Sequence, residues 1–312
     1  MSAVPPPEIA FDQGVPWHYG DPLREQRALA EGRAAVDMSN HDVLTITGPE
    51  RLSWLHSLTT AHVADRAPGD SALALILSPN GHVEHELHLY DDGRTTWVIA
   101  QPGRGRELLQ YLERMKFWTD VELADVTGQW RVIAEPAAAA PRPGFTVPEP
   151  FASRGYALRE SLVPADEADA LLASYPQLAG SWAREALRAA ALMPRTGLDT
   201  DHRAIPNEMG WIDSAVHLSK GCYRGQETVA KVHNLGQPPR RLCLLLLDGS
   251  SDTLPEHGAP VTVDGRDAGW IGTAAQHYEL GPIATAVLKR SVPLDAQLAV
   301  GDAHATIEAT AW

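Results

Sequence analysis

Apolar and polar positions change period several times along the chain, and each change marks an element. Asp42 to Thr47 (DVLTIT) alternates with period two and is stopped by Gly48-Pro49, which predicts a half-buried strand. Leu52, Leu55 and Leu58 then recur every three residues, so 49–59 is expected as a helix with Pro49 in its first turn. Helical spacing also runs from Asp21 to Val36. Ala72–Leu77 and His82–Tyr90 flank Ser78-Pro79-Asn80-Gly81, and the Asn-Gly pair predicts a tight hairpin. Asp91-Asp92-Gly93 is a second turn, Thr95–Ala100 a further strand, and Leu108, Leu109, Leu112 and Met115 mark a helix. This order predicts an α+β layer with helices on one face of a mostly antiparallel sheet. Five prolines fall within 136–150, which predicts an extended loop or linker. A second α+β stretch follows, with a strand at 155–160 and helices at 164–173 and 181–192. From Arg241 to Trp312 short strands alternate with Gly, Pro and Asp turns, as in a small barrel or sandwich. The expected organisation is therefore 1–135, a Pro-rich loop at 136–150, 151–238, and a β unit at 239–312.

Composition adds exclusions. The 312 residues are 44% hydrophobic and 21% charged, as in globular proteins with a substantial core. The net charge of −14 argues against general nucleic-acid binding, which needs a basic face to displace counterions. No apolar run exceeds the six residues Leu242–Leu247, whereas a helical membrane span needs about 20. The start, MSAVPPPEIA, has neither a basic n-region nor an apolar h-region, and two cysteines make no disulfide framework. A reducing, cytoplasmic location is expected.

Charge is uneven. Residues 184–241 hold nine basic and six acidic side chains, a local excess of positive charge suited to an anionic ligand. Within this stretch lies Lys220-Gly221-Cys222-Tyr223-Arg224-Gly225-Gln226-Glu227. Two glycines let the backbone turn sharply, and cations two residues to either side of Cys222 would favour its thiolate. Gln226-Glu227 starts a helical stretch. The same string also reads as a tight turn around a buried cysteine.

This string resembles the K-G-C-Y-x-G-Q-E motif of the YgfZ-type folate-binding proteins, relatives of the glycine-cleavage T-protein (aminomethyltransferase) family. Ile205-Pro206-Asn207-Glu208-Met209-Gly210-Trp211 is similar to that family's P-x-E segment, and Val36-Asp37-Met38-Ser39 to its h-D-x-S segment. The resemblance implies two α+β modules of the aminomethyltransferase folate-binding type and a C-terminal β-barrel around a channel for tetrahydrofolate. It further implies a role in assembling or repairing iron–sulfur proteins, which would be the partners besides folate. Cys222 is then the catalytic candidate, with Lys220, Gly221, Tyr223, Arg224, Gly225, Gln226 and Glu227 as its motif.

Two departures from the T-protein pattern stand out. That family's acidic pair, in a segment like G-x-I-x-D-D-L, becomes His85-Glu86 within Gly81–Leu87. Its R-x-E-A-G glutamate position reads Ala190. The candidate folate contacts are therefore Glu208, Arg188, His85 and Glu86. Two rival functions remain: a folate-dependent aminomethyl- or methyltransferase, and a non-catalytic partner-binding module. No metal site is expected. His82, His85 and His88 alternate faces on a strand, and two cysteines cannot supply four ligands to an iron–sulfur cluster. Cys243, in an apolar strand, is expected to be an inert core residue.

Overall fold

The computed structural model describes residues 2–312, so Met1 of the expected 1–135 module lies outside the described residues. In chain order, helix α1 (Pro22–Ala30) leads into β1 (Ala34–Asp37) and β2 (Asp42–Thr47). Helix α2 (Arg51–Leu58) precedes the hairpin β3 (Ser71–Leu77) and β4 (Val83–Asp91), followed by β5 (Thr95–Ala100), α3 (Gly105–Lys116), β6 (Glu122–Asp125) and β7 (Trp130–Pro136). Then come β8 (Gly144–Thr146), β9 (Leu158–Pro164), α4 (Ala168–Ala173), β10 (Gln177–Ala179), α5 (Ser181–Ala190) and α6 (Gln226–Leu235). The last strands are β11 (Arg240–Leu247), β12 (Pro260–Val263), β13 (Arg266–His277), β14 (Gly281–Lys289), β15 (Leu298–Val300) and β16 (Ala303–Thr310).

The first sheet runs β3-β4-β5-β2-β6 and is antiparallel throughout. Alternation along β3 (SALALIL) sorts its residues. Ala72, Ala74 and Ile76 pack toward α2 and α3 with Trp54, Leu55 and Leu112. Leu73, Leu75 and Leu77 face a central core that also holds Val36, Phe145, Trp211 and Leu242. The helical pattern expected from Asp21 to Val36 ends at Ala30, because the chain turns through Gly32 at φ +73° and continues as β1.

The second sheet runs β10-β1-β7-β9-β8. It draws β1, β7 and β8 from the first half of the chain and β9 and β10 from the second, with β1 parallel to β10 and antiparallel to β7. The 136–150 stretch is therefore not a linker. It contributes β8, which pairs with β9, and buries Phe145 in the shared core. The strand expected at 155–160 lies at Leu158–Pro164, and the helix expected at 164–173 starts at Ala168. The last six strands close into a barrel in the order β11-β14-β13-β12-β15-β16, with its own core around Leu245, Ile271 and Leu288.

Candidate functional site

The Lys220–Glu227 loop docks on the tip of the β3–β4 hairpin through two glycines. Gly225, at φ +81°, would place a Cβ 2.6 Å from the Ser78 carbonyl oxygen and 2.8 Å from the Gly81 Cα. Gly81, at φ +80°, would place one 2.7 Å from the Thr228 Cβ. A side chain at either position would lift the loop off the hairpin. Tyr223 is buried, and its carbonyl accepts from the Gln226 amide at 3.2 Å where α6 begins. Glu227 lies in the first turn of α6, where the helix dipole favours a carboxylate.

Cys222 is exposed on this loop, whereas Cys243 is buried in β11, where burial pushes its thiol up to about 11. A limiting thiol reagent should therefore modify Cys222 well before Cys243. Peptide mapping after partial labelling checks this, and equal or reversed labelling would remove Cys222 as the reactive group.

The cations flanking Cys222 have other employment. Lys220 is buried and donates to the carbonyls of His56, Thr59 (2.5 Å) and Ala61 (3.0 Å), closing the C-terminal end of α2. Burial pulls its pKa down to about 8. Arg224 reaches Glu84 at 3.4 Å and lies 6.0 Å from the Tyr111 ring centroid. One cation thus holds a helix end and the other an acidic strand residue. The same 56–62 segment, tied to the chain just before the motif loop by His217 N–H to Thr60 O (3.0 Å), gathers three imidazoles. His56 and His62 are 4.7 Å apart between centroids, and His62 and His217 5.1 Å. Among the described residues no group of histidine, cysteine and acidic side chains converges as metal ligands.

The hairpin strand β4 separates the two residues expected to act together. His85 faces α3, 5.7 Å from the Tyr111 ring, and burial lowers its pKa. Glu86 faces the interior, where its Oε2 accepts from the Thr196 amide (2.9 Å) and hydroxyl (3.0 Å). Its Oε1 meets His88 Nε2 at 3.1 Å, while His88 Nδ1 meets Glu160 of β9 at 2.5 Å. Burial would lower the His88 pKa, but Glu160 and Glu86 outweigh it and hold it at about 9. Burial likewise works against the Glu160 charge, yet His88 and Arg184 bring its pKa down to about 2. His88 is therefore an imidazolium donating to a carboxylate on each sheet.

The other two folate candidates are also committed elsewhere. Arg188 donates to Glu185 (3.0 Å), Asp199 (2.7 Å), the Met193 carbonyl (2.5 Å) and Thr273 on β13 (2.6 Å). Glu208 accepts from Arg240 at 2.9 and 2.8 Å and from the Ile205 amide at 3.2 Å, which fastens the first barrel strand. Both side chains are engaged in pairs that fasten the barrel to the rest of the fold. Next to them Arg195 forks onto Asp12 at 2.6 and 2.8 Å and meets Glu185 at 3.0 Å. Sequence reading missed Asp12, Glu160, Arg184 and Arg195, since partners such as Asp12 and Arg195 lie 183 positions apart. Arg184 and Arg195 were marked only by the basic excess over 184–241, and Asp12 and Glu160 by nothing local.

Comparison with known proteins bears on the fold. Residues 13–135 match the family profile "GCVT N-terminal domain". A chloroplastic protein of Arabidopsis thaliana bearing a provisional transferase name is 23% identical over 82% of this chain; the alignment spans 66% of that protein, just under two thirds. The aminomethyltransferase of Rubrobacter xylanophilus is 25% identical, with 86% of this chain and 78% of that protein aligned. The crystal structure of the glycine cleavage system aminomethyltransferase T from Bartonella henselae superposes with a TM-score of 0.77 at 18% identity, covering 95% of this chain and 91% of that one. The chain is thus similar in sequence and in fold to the T-protein aminomethyltransferases, and residues 13–135 match their N-terminal domain.

Proposed function

We propose that the protein binds tetrahydrofolate where its two sheets meet, and serves the assembly or repair of iron–sulfur proteins through the Cys222 thiol. When bound, the folate would supply a carrier for one-carbon units. The observation that carries the ligand is that His41 Nε2 and Arg184 Nε are two of five buried side-chain polar atoms without a partner among the described residues. Burial holds His41 neutral, with a pKa of about 3, and Arg184 is the largest of the charges acting on it. Its Nδ1 lies 3.0 Å from Asn40 Oδ1 and donates there, so Nε2 is left as an acceptor. An unsatisfied acceptor and an unsatisfied donor in one interior suit the mixed donor–acceptor edge of a pterin. His41 and Arg184 would thus hold the ring in place of Glu208 and Arg188.

The exposure of Cys222 on a glycine-fixed loop supports the thiol half. The relatives' names favour a second reading, a folate-dependent aminomethyltransferase. Against it, the acidic pair of that family is here His85 and Glu86, and Glu86 is locked to His88 and Thr196. Calorimetric titration with tetrahydrofolate and its one-carbon derivatives should give micromolar-scale binding, roughly −8 kcal/mol. Absence of binding at millimolar folate would overturn the ligand. Turnover of folate with a methylamine donor would establish the second reading. Full iron–sulfur enzyme activity in cells carrying only Cys222→Ala would overturn the role of the thiol.

A further inference from the structure

The segment before α1 lies along the barrel, and between it, the start of α5 and the 254–257 loop there is a cavity of about 250 Å3. Its wall combines two chemistries. Phe11, Trp17 and Trp182 contribute aromatic rings, with the two indoles nearly parallel (11°) and 5.7 Å apart between centroids. Asp12, Glu185 and Glu256 contribute carboxylates, and no lysine or arginine is in the wall. Asp12 pairs with Arg195, and Glu185 is met by Arg184, Arg188 and Arg195, so both carboxylates are already neutralised by arginines behind the wall, one of which, Arg195, lies 4.6 Å from the Phe11 ring centroid. Glu256 is exposed and makes no ion pair among the described residues. The histidine in the wall, His257, is engaged through Nδ1 with the Gly272 carbonyl at 3.0 Å.

We propose that this cavity is a binding site for a small organic cation of the N-methylated ammonium class, with its methyl groups against Trp17 and Trp182 and its charge toward Glu256. Aromatic faces attract a cation through their quadrupole and carboxylates add to that attraction. A primary ammonium would bring three N–H donors that indole faces cannot satisfy; a quaternary head brings none. A head of this kind on a short chain fits the volume, and an anion is disfavoured by the wall. The anionic tail of a folate is therefore not the occupant, and the site is separate from the one proposed above.

Titration of the full chain with choline tests this, using neohexyl alcohol as the uncharged isostere in which carbon replaces nitrogen. Choline should saturate below about 10 mM, and the alcohol should bind about 10-fold more weakly or worse. Trp182→Ala should weaken choline by about 5-fold through the lost ring face. Glu256 is exposed, so Glu256→Gln leaves the fold in place, and it should weaken choline by about 3-fold with tetrahydrofolate binding unchanged. Equal affinity for the alcohol would make the cavity merely apolar and overturn the proposal. So would a failure of choline to saturate, or an unchanged affinity in Glu256→Gln.

Discussion

Arg188→Met is expected to cost about 3–5 kcal/mol of folding free energy, because it leaves buried carboxylate charge without its partner. Arg188 is almost fully buried and joins α5 to Asp199 and to Thr273 of the barrel. Asp199 would keep only neutral donors: the Thr273 and Thr285 hydroxyls and the Arg195 amide. Urea unfolding of the variant measures the loss. Adding Asp199→Leu should recover part of it, since the stranded charge is then gone. A variant as stable as the parent, with weakened folate binding, would return Arg188 to the ligand site.

The second large effect is on pH dependence. His88 has its pKa raised to about 9 in the folded protein, from the usual 6.5. Its contribution is therefore complete below the unfolded value and is lost as pH rises through the folded one. Between pH 7 and 9 this amounts to about 2 kcal/mol. Acid acts through other groups. His41, lowered to about 3, must charge on unfolding, so it favours the unfolded chain as pH falls below 6.5. Glu160, lowered to about 2 from 4.5, loses its contribution as pH falls toward 2. Stability should peak near neutrality. His88→Gln should flatten the alkaline limb relative to the parent, and comparing the two profiles cancels groups such as Lys220 that titrate in both. Parallel alkaline limbs would show that His88 is not protonated between Glu86 and Glu160.

Local pattern was enough for much of the fold. The β3–β4 hairpin followed from Asn80-Gly81 between apolar alternations, α3 from its spacing of leucines, and the barrel from short strands and turns. The Lys220–Glu227 motif was legible too, since glycine at 225 answers a backbone demand that no other residue meets there. Elements with a weak local signal were not. β1 is four residues long and extends a helical pattern that Gly32 breaks, and β8 sits in a proline-rich stretch that gains its pairing from β9.

The amino-acid sequence by itself determined the β3–β4 hairpin, α3 and the strand-rich C-terminal unit, the glycine-built loop carrying Cys222, and the resemblance to a folate-binding fold. These depend on neighbours within a few residues, where periodicity and backbone sterics act. Tertiary structure decided which charges face which. It turned Glu86 inward and His85 toward α3, sent Lys220 to the end of α2, and spent Arg188 and Glu208 on fastening the barrel. A buried charge must find a partner wherever the fold brings one. Asp12 and Arg195 meet across 183 positions for that reason, and no local pattern announces such a pairing.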